Sequence, residues 1–66
     1  MYEIKRVQNG ETIKSFITNS REMAIFCYRQ WRIVTDFRAD TTIEVWKETK
    51  QGWKNYTKYW KREVHL

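Results

Sequence analysis

Two alternating segments, YEIKRVQ (residues 2–8) and ETIKSFI (residues 11–17), flank the dipeptide Asn9-Gly10 and decide the fold. Alternation of apolar and polar side chains is typical of half-buried β-strands. Asn-Gly is favoured between such segments because both central residues of a type I′ turn need positive φ. We therefore predict a β-hairpin in which Gln8 faces Glu11 and Ile4 faces Ser15.

This register predicts two different faces for the hairpin. The first carries apolar side chains and is expected to join the core: Tyr2, Ile4, Ile13 and Ile17. The second is more polar: Glu3, Lys5, Val7, Thr12, Lys14 and Phe16. Lys5 and Lys14 would lie directly opposite each other, where like charges are mildly destabilising. The two lysines are therefore either an anion site or simply solvated.

A helix is predicted after the hairpin. Asn19 precedes Glu22 by three residues, as in a capping box, and Ser20 is an alternative N-cap. Between there and about Val34 a broad apolar arc of the helical wheel is expected to cover the sheet: Met23, Ala24, Phe26, Cys27, Trp31, Ile33 and Val34. The opposite side carries arginines that form either a solvated face or a secondary binding surface: Arg21, Arg29 and Arg32.

The remaining residues predict a second hairpin. Residues 35–40 form the return loop, in which Asp36 and Asp40 are expected to bond nearby backbone N–H groups. Residues 41–48 alternate as a strand, residues 50–52 fit a three-residue loop ending in glycine, and a last strand is predicted from residue 53 toward residue 64. In this register Trp46 faces Tyr56, and two Glu–Lys pairs support it: Glu44 with Lys58, and Glu48 with Lys54.

These elements predict an α+β fold of the form β-hairpin–α-helix–β-hairpin (ββαββ), with one helix packed on one face of an antiparallel sheet. The chain has no proline, two glycines and no linker-like stretch, so residues 1–66 are predicted to form a single domain. A domain of this length has a thin core. We therefore expect no deep catalytic cleft.

The sheet face away from the helix is predicted to combine aromatic rings with cations: Lys5, Lys14, Phe16, Trp46, Lys54, Tyr56, Lys58, Trp60 and Arg62. A net charge of +5 favours anionic partners. Tyr, Trp and Arg are enriched in protein-binding hot spots, while rings among lysines also suit single-stranded nucleic acid. We expect an acidic or mixed protein surface as the partner, with nucleic acid and a homodimer as alternatives.

Few residues carry the chemistry of catalysis or metal binding. Cys27 is the single cysteine and is expected in the core, and His65, the single histidine, is the penultimate residue. There is no glycine-rich phosphate loop. We predict no catalytic residue, no metal site and no cofactor. Residues 1–6 have no apolar segment of the signal-peptide type and no run is long enough to span a membrane, so a cytoplasmic protein is expected.

The layout of the first half resembles that of short proteins encoded by bacterial phages and prophages. The resemblance rests on Tyr2-Glu3-Ile4, Asn9-Gly10-Glu11, Phe16-Ile17-Thr18 and Arg21-Glu22-Met23-Ala24. It implies a protein that binds and inhibits a host factor. It assigns no role to any individual residue.

Overall fold

The computed structural model describes residues 1–35 and 40–64. Four strands form one antiparallel sheet in the order β2-β1-β3-β4. The elements are β1 (Tyr2–Gln8), β2 (Glu11–Thr18), α1 (Arg21–Thr35), β3 (Thr41–Thr49), β4 (Gly52–Asn55) and α2 (Thr57–Glu63). The predicted α+β fold of two hairpins flanking a helix is confirmed, with a short C-terminal helix in addition.

The first turn has the predicted conformation. Asn9 has φ 51° and Gly10 has φ 81°, both in the left-handed region that a type I′ turn requires. Gln8 pairs with Glu11 as expected. The backbone conformation therefore explains why this turn has Asn followed by Gly.

A β-bulge then changes the register of β2. Arg6 pairs with Lys14, so Ile13 is an extra residue in the strand. Beyond this point Ile4 faces Phe16 rather than Ser15. A shift of one residue moves every side chain to the other face of the sheet.

The predicted faces of β2 are therefore wrong beyond the bulge. Lys14 and Phe16 lie on the side that the helices cover, and Ile17 is exposed on the opposite side, with Ile13 on that side by alternation. The physical reason is that the bulge lets the Phe16 ring pack against the core beside Ile4.

Helix α1 begins after Ser20, which is the alternative of the two predicted N-caps. The Ser20 hydroxyl accepts the N–H of Met23 at 3.3 Å, and the Ser20 carbonyl accepts the N–H of Ala24 at 3.0 Å. A serine side chain thus satisfies a backbone donor that has no partner within the helix.

The buried side of α1 is rotated relative to the predicted arc. Ala24, Cys27 and Tyr28 are buried and Trp31 is half-buried. Four residues of the predicted arc are instead exposed: Met23, Phe26, Ile33 and Val34. The rotation arises because the helix packs closely on the sheet through the small Ala24 and turns Tyr28 toward α2.

The second hairpin is tighter than predicted. Thr49 pairs with Gly52, which has φ 104°, so two residues rather than three connect the strands. Glu48 therefore faces Trp53, and Trp46 faces Asn55. The predicted Glu48–Lys54 and Trp46–Tyr56 pairings are wrong by one residue.

The last strand ends early, and its predicted continuation to residue 64 is wrong. The Tyr56 N–H donates to the Val45 carbonyl at 2.7 Å, and the Val45 N–H donates to the Thr57 hydroxyl at 2.9 Å. These bonds satisfy the backbone N–H and C=O of Val45 on β3, which lies beyond the end of β4. Helix α2 begins at this point. The predicted Glu44–Lys58 pairing cannot form, because Lys58 belongs to α2.

Both helices pack on the same face of the sheet. The indole of Trp60 is fully buried, with its ring centroid 5.6 Å from that of Tyr2 and 5.9 Å from that of Tyr28. Strands β1 and β3 contribute the apolar floor of this core: Ile4, Ile43 and Val45. Two helices therefore share one small core, and the opposite sheet face stays open.

Of the two aspartates predicted to hold the loop after α1, Asp40 is described. Its carboxylate accepts a hydrogen bond from the Gln8 side-chain amide at 2.9 Å and another from the Thr41 hydroxyl at 3.3 Å. These bonds fix the start of β3 beside the end of β1. Asp36 and His65 lie outside the described residues.

Candidate interaction surfaces

The nine residues predicted to share one face lie in three separate places. Two are on the open sheet face: Lys5 and Trp46. Two are on the helix-covered side of β2: Lys14 and Phe16. Five follow the second hairpin turn, in β4, in α2 or directly between them: Lys54, Tyr56, Lys58, Trp60 and Arg62.

The open sheet face is organised around Trp46. The Lys5 ammonium lies 4.6 Å from the centroid of the Trp46 ring, within cation–π range. The indole N–H donates to the Glu44 carboxylate at 3.0 Å. Lys5 also lies 3.9 Å from the Glu3 carboxylate. The half-buried Trp46 ring thus already has partners within the chain and is not a free stacking platform.

The open sheet face carries more acidic than basic side chains, whereas a basic face was predicted. Strand pairing and alternation put Lys5 on it together with Glu3, Glu44 and Glu48. The exposed Trp53 ring also lies on this face, opposite Glu48. The expectation of a basic sheet face is therefore wrong, because Lys54 and the residues of α2 lie elsewhere.

The helix-covered side of β2 borders a groove. The Lys14 ammonium lies 5.4 Å from the centroid of the Trp31 ring at this groove. Phe16, Met23 and Phe26 line a volume of about 380 Å³ between β2 and α1. Cys27 lies at the base, where burial raises the pKa of its thiol while the charge of Lys14 opposes that rise. This side chain is buried, as expected for a core cysteine.

The most cationic part of the described chain is the C-terminal end. We call it the α2 basic surface, and define it by five cations and two rings of β3, β4 and α2: Lys47, Lys54, Lys58, Lys61 and Arg62 with Tyr56 and Tyr59. Tyr59 is 56% exposed and stacks on Tyr56 with centroids 5.6 Å apart and an interplanar angle of 26°. The Lys47 ammonium lies 5.1 Å from the centroid of the Tyr56 ring. Trp60 is 0% exposed, so its predicted place on a binding surface is wrong.

Glu63 links this surface to α1. Its carboxylate accepts a hydrogen bond from the Tyr56 hydroxyl and lies 3.6 Å from the guanidinium of Arg21. The hydrogen bond to Glu63 raises the pKa of the Tyr56 hydroxyl. The acidic residue of α2 is therefore directed toward α1, away from Lys58 and Arg62.

The three arginines predicted as a secondary surface share one side of α1 but have different surroundings. Arg21 contacts Glu63, Arg29 is exposed, and Arg32 is half-buried beside α2. Arg32 and Lys61 line a cavity of about 420 Å³ at the C-terminal ends of both helices. Helix C-termini carry partial negative charge and disfavour anions. The cavity is therefore a poor anion site in spite of its two cations.

Within residues 1–35 and 40–64 no group of three or more His, Cys, Asp and Glu side chains could hold a metal ion. The helices of this part of the chain are too short or too polar to cross a bilayer.

Three residues of the α2 basic surface were not predicted: Lys47, Tyr59 and Lys61. The sequence does contain a pattern that indicates α2. Tyr56, Trp60 and Val64 recur every four residues, which places their side chains on one side of a helix. Alternating Lys and aromatic residues in the same segment also fit a strand, so the sequence pattern alone does not distinguish the two elements.

Comparison with protein-family models, curated proteins and solved structures finds no match to this chain. Its surfaces are therefore interpreted from their own geometry and charge.

Proposed function

We propose that this chain is a non-enzymatic binding protein that docks on an acidic surface of a partner protein through the α2 basic surface. The resemblance to phage and prophage proteins supports a role as an inhibitor or adaptor aimed at a bacterial protein. The observation that carries the proposal is the exposed surface of α2, which presents Lys58, Lys61 and Arg62 together with the 56% exposed ring of Tyr59. Tyr and Arg are among the residues that dominate binding energy at protein interfaces.

The distribution of charge over the whole molecule supports this side. Most of the thirteen Lys and Arg residues are on α1, on α2 or on the sheet side that the helices cover: Arg6, Lys14, Arg21, Arg29, Arg32, Lys47, Lys54, Lys58, Lys61 and Arg62. Three of the four charged strand residues on the open sheet face are glutamates: Glu3, Glu44 and Glu48, with Lys5 as the fourth. An acidic partner is therefore attracted to the helical side and repelled from the open sheet face.

The same geometry weakens the nucleic-acid alternative. Single strands bind where several rings offer faces to successive bases and cations follow the phosphates. Trp46 is covered by Lys5, and one face of Tyr59 is stacked on Tyr56. We therefore expect a mixed-sequence single-stranded oligonucleotide to leave tryptophan fluorescence unchanged at moderate salt. A saturable change there would favour nucleic acid over protein.

The test of the proposal is affinity capture followed by a direct titration. The tagged chain is incubated with a nuclease-treated bacterial lysate, and each retained protein is purified and titrated by calorimetry. The test variant carries Lys58→Glu with Arg62→Glu on α2. The matched control carries Lys50→Glu with Arg29→Glu, which makes the same change of charge at exposed positions outside the α2 basic surface.

The proposal predicts that a partner protein still binds after nuclease treatment. Its affinity is expected to be at least about tenfold lower, or about 1.4 kcal/mol, for the α2 variant. The control is expected to bind like the wild type. Equal weakening by both variants would indicate a general charge effect and contradict the proposal. Binding that disappears with nuclease treatment would contradict it as well.

A further inference from the structure

Strand β2 is an outer strand of the sheet, and exposed apolar side chains of β2 and of α1 lie along it. Ile13 is 45% and Ile17 is 53% exposed near the open sheet face. On the other side, across the groove beside β2, Met23 is 49% and Phe26 is 60% exposed. Natural proteins usually protect a long outer strand, because its unpaired backbone pairs readily with another chain. The clustering of four such side chains at one edge indicates a contact surface.

The backbone groups at this edge can be assigned from the hydrogen bonds of β1. The Met1 carbonyl accepts the Glu48 N–H at 2.9 Å, and the Asn9 N–H donates to the Asp40 carbonyl at 3.3 Å. Odd-numbered residues of β1 therefore bond to β3, including Lys5. Ser15 pairs with Lys5 across the β1–β2 ladder. In an antiparallel ladder such a residue directs its N–H and C=O away from β1, toward solvent.

We propose that two copies of this chain pair antiparallel through their β2 edges about a two-fold axis at Ser15. The product is one continuous sheet with four strands from each copy. In this register Ile13 faces Ile17 of the second copy, and the same pair recurs on the other side of the axis. A two-fold interface must be self-complementary in this way.

The other pairs of this register are also compatible. Lys14 faces Phe16 of the second copy, which brings that ring to the mouth of the apolar groove. Lys14 is the only charged residue from Ile13 to Ile17, so no like charges lie directly opposite each other. The helical side, in contrast, carries an excess of positive charge and would repel a second copy. The edge is therefore better suited to self-pairing than the α2 basic surface.

The size of the contact is consistent with a specific dimer. The bulge at Ile13 limits the ladder to the stretch from Ile13 to Ile17. Stable interfaces bury at least about 1,000 Å² in total. To reach that size, the strand edge and the four exposed apolar side chains of each copy must together bury about 500 Å². The β2 edge and the β4 edge are at opposite ends of the strand order, and α2 follows β4. Pairing through β2 therefore does not depend on the partner proposed for the α2 basic surface.

The test is the solution mass, measured by light scattering on a sizing column. The wild type is expected at twice the 8.3 kDa chain mass at micromolar concentration. Ser15→Pro removes an outward N–H without removing a bond to β1, and Ile17→Lys puts a charge opposite Ile13 of the second copy. Each is expected to raise the dimer dissociation constant at least about tenfold.

Ile33→Lys is the matched control, because Ile33 is 60% exposed on α1 and lies outside the groove. It is expected to remain dimeric, and circular dichroism checks that every variant is folded. A wild type that is monomeric at high micromolar concentration would overturn the inference, as would a dimer that Ile33→Lys dissociates and Ile17→Lys does not. If the β2 edge instead binds an extended peptide of another protein, the isolated chain would be monomeric in this measurement.

Discussion

At the scale of the residue, the position of Trp60 shows why aromatic content does not define a binding face. Trp60 and Trp53 are both followed by lysine, yet Trp60 is fully buried and Trp53 is exposed. The difference follows from the elements that carry them. Trp60 lies on the inner side of α2 against Tyr2 and Tyr28, whereas Trp53 extends from the outer strand β4.

Trp60→Ala is expected to lower the free energy of unfolding by about 3–5 kcal/mol, because it removes the largest side chain of a thin core. Trp53→Ala, the control, is expected to cost much less. Urea unfolding followed by far-UV circular dichroism measures both. A small effect of Trp60→Ala with a large effect of Trp53→Ala would invert the assignment of the two faces.

Burial raises the pKa of the Cys27 thiol above its ordinary value of 9.0, so the thiol stays protonated at neutral pH. We expect slow reaction with an aromatic disulfide reagent in buffer and fast reaction in denaturing urea. Because the folded pKa is the higher one, this group stabilises the fold fully below pH 9.0, and its contribution falls as pH rises above that value. Equal rates of reaction in buffer and in urea would contradict a buried thiol.

At the scale of the element, the parts that were predicted from sequence are those set by local interactions. Asn9-Gly10 fixes the first turn, and Ser20 fixes the start of α1. The bulge at Ile13 could not be predicted, because it arises from packing of Phe16 against the core. Whether residues 53–64 continue as a strand or form a helix depends on how the backbone N–H of Val45 is bonded. It donates to the Thr57 hydroxyl instead of to another strand, and the segment becomes a helix. Four predicted site residues do follow the second hairpin turn, but only Lys54 is on a strand; Tyr56 directly precedes α2, and Lys58 and Arg62 are on α2.

Thr57→Val is expected to destabilise the fold by about 1–3 kcal/mol, because it leaves the Val45 N–H without its acceptor. Thr42→Val changes an exposed threonine on β3 in the same way and is expected to have little effect. Thermal and urea unfolding of the two variants provide the comparison. A Thr57→Val protein as stable as Thr42→Val would mean that α2 does not depend on this bond.

At the scale of the whole molecule, the sheet separates two electrostatic environments. The helical side carries most of the cations, and the open face carries Glu3, Glu44 and Glu48 with Lys5. Charge totals alone give +5 and do not reveal this separation. It follows from which strand residues share a face and from the folding of the last segment as a helix. An acidic partner is therefore expected to bind on the helical side and not on the open sheet face.

Site-specific photo-crosslinking reports which of the two sides a partner contacts. A benzophenone amino acid replaces Tyr59 in the α2 basic surface or, as the matched control, Trp53 on the open sheet face. Both rings are exposed, so neither replacement disturbs the core. Irradiation in cells of the source organism is predicted to give a discrete adduct with a partner protein from position 59 and none from position 53. An adduct from position 53 and none from position 59 would contradict the account.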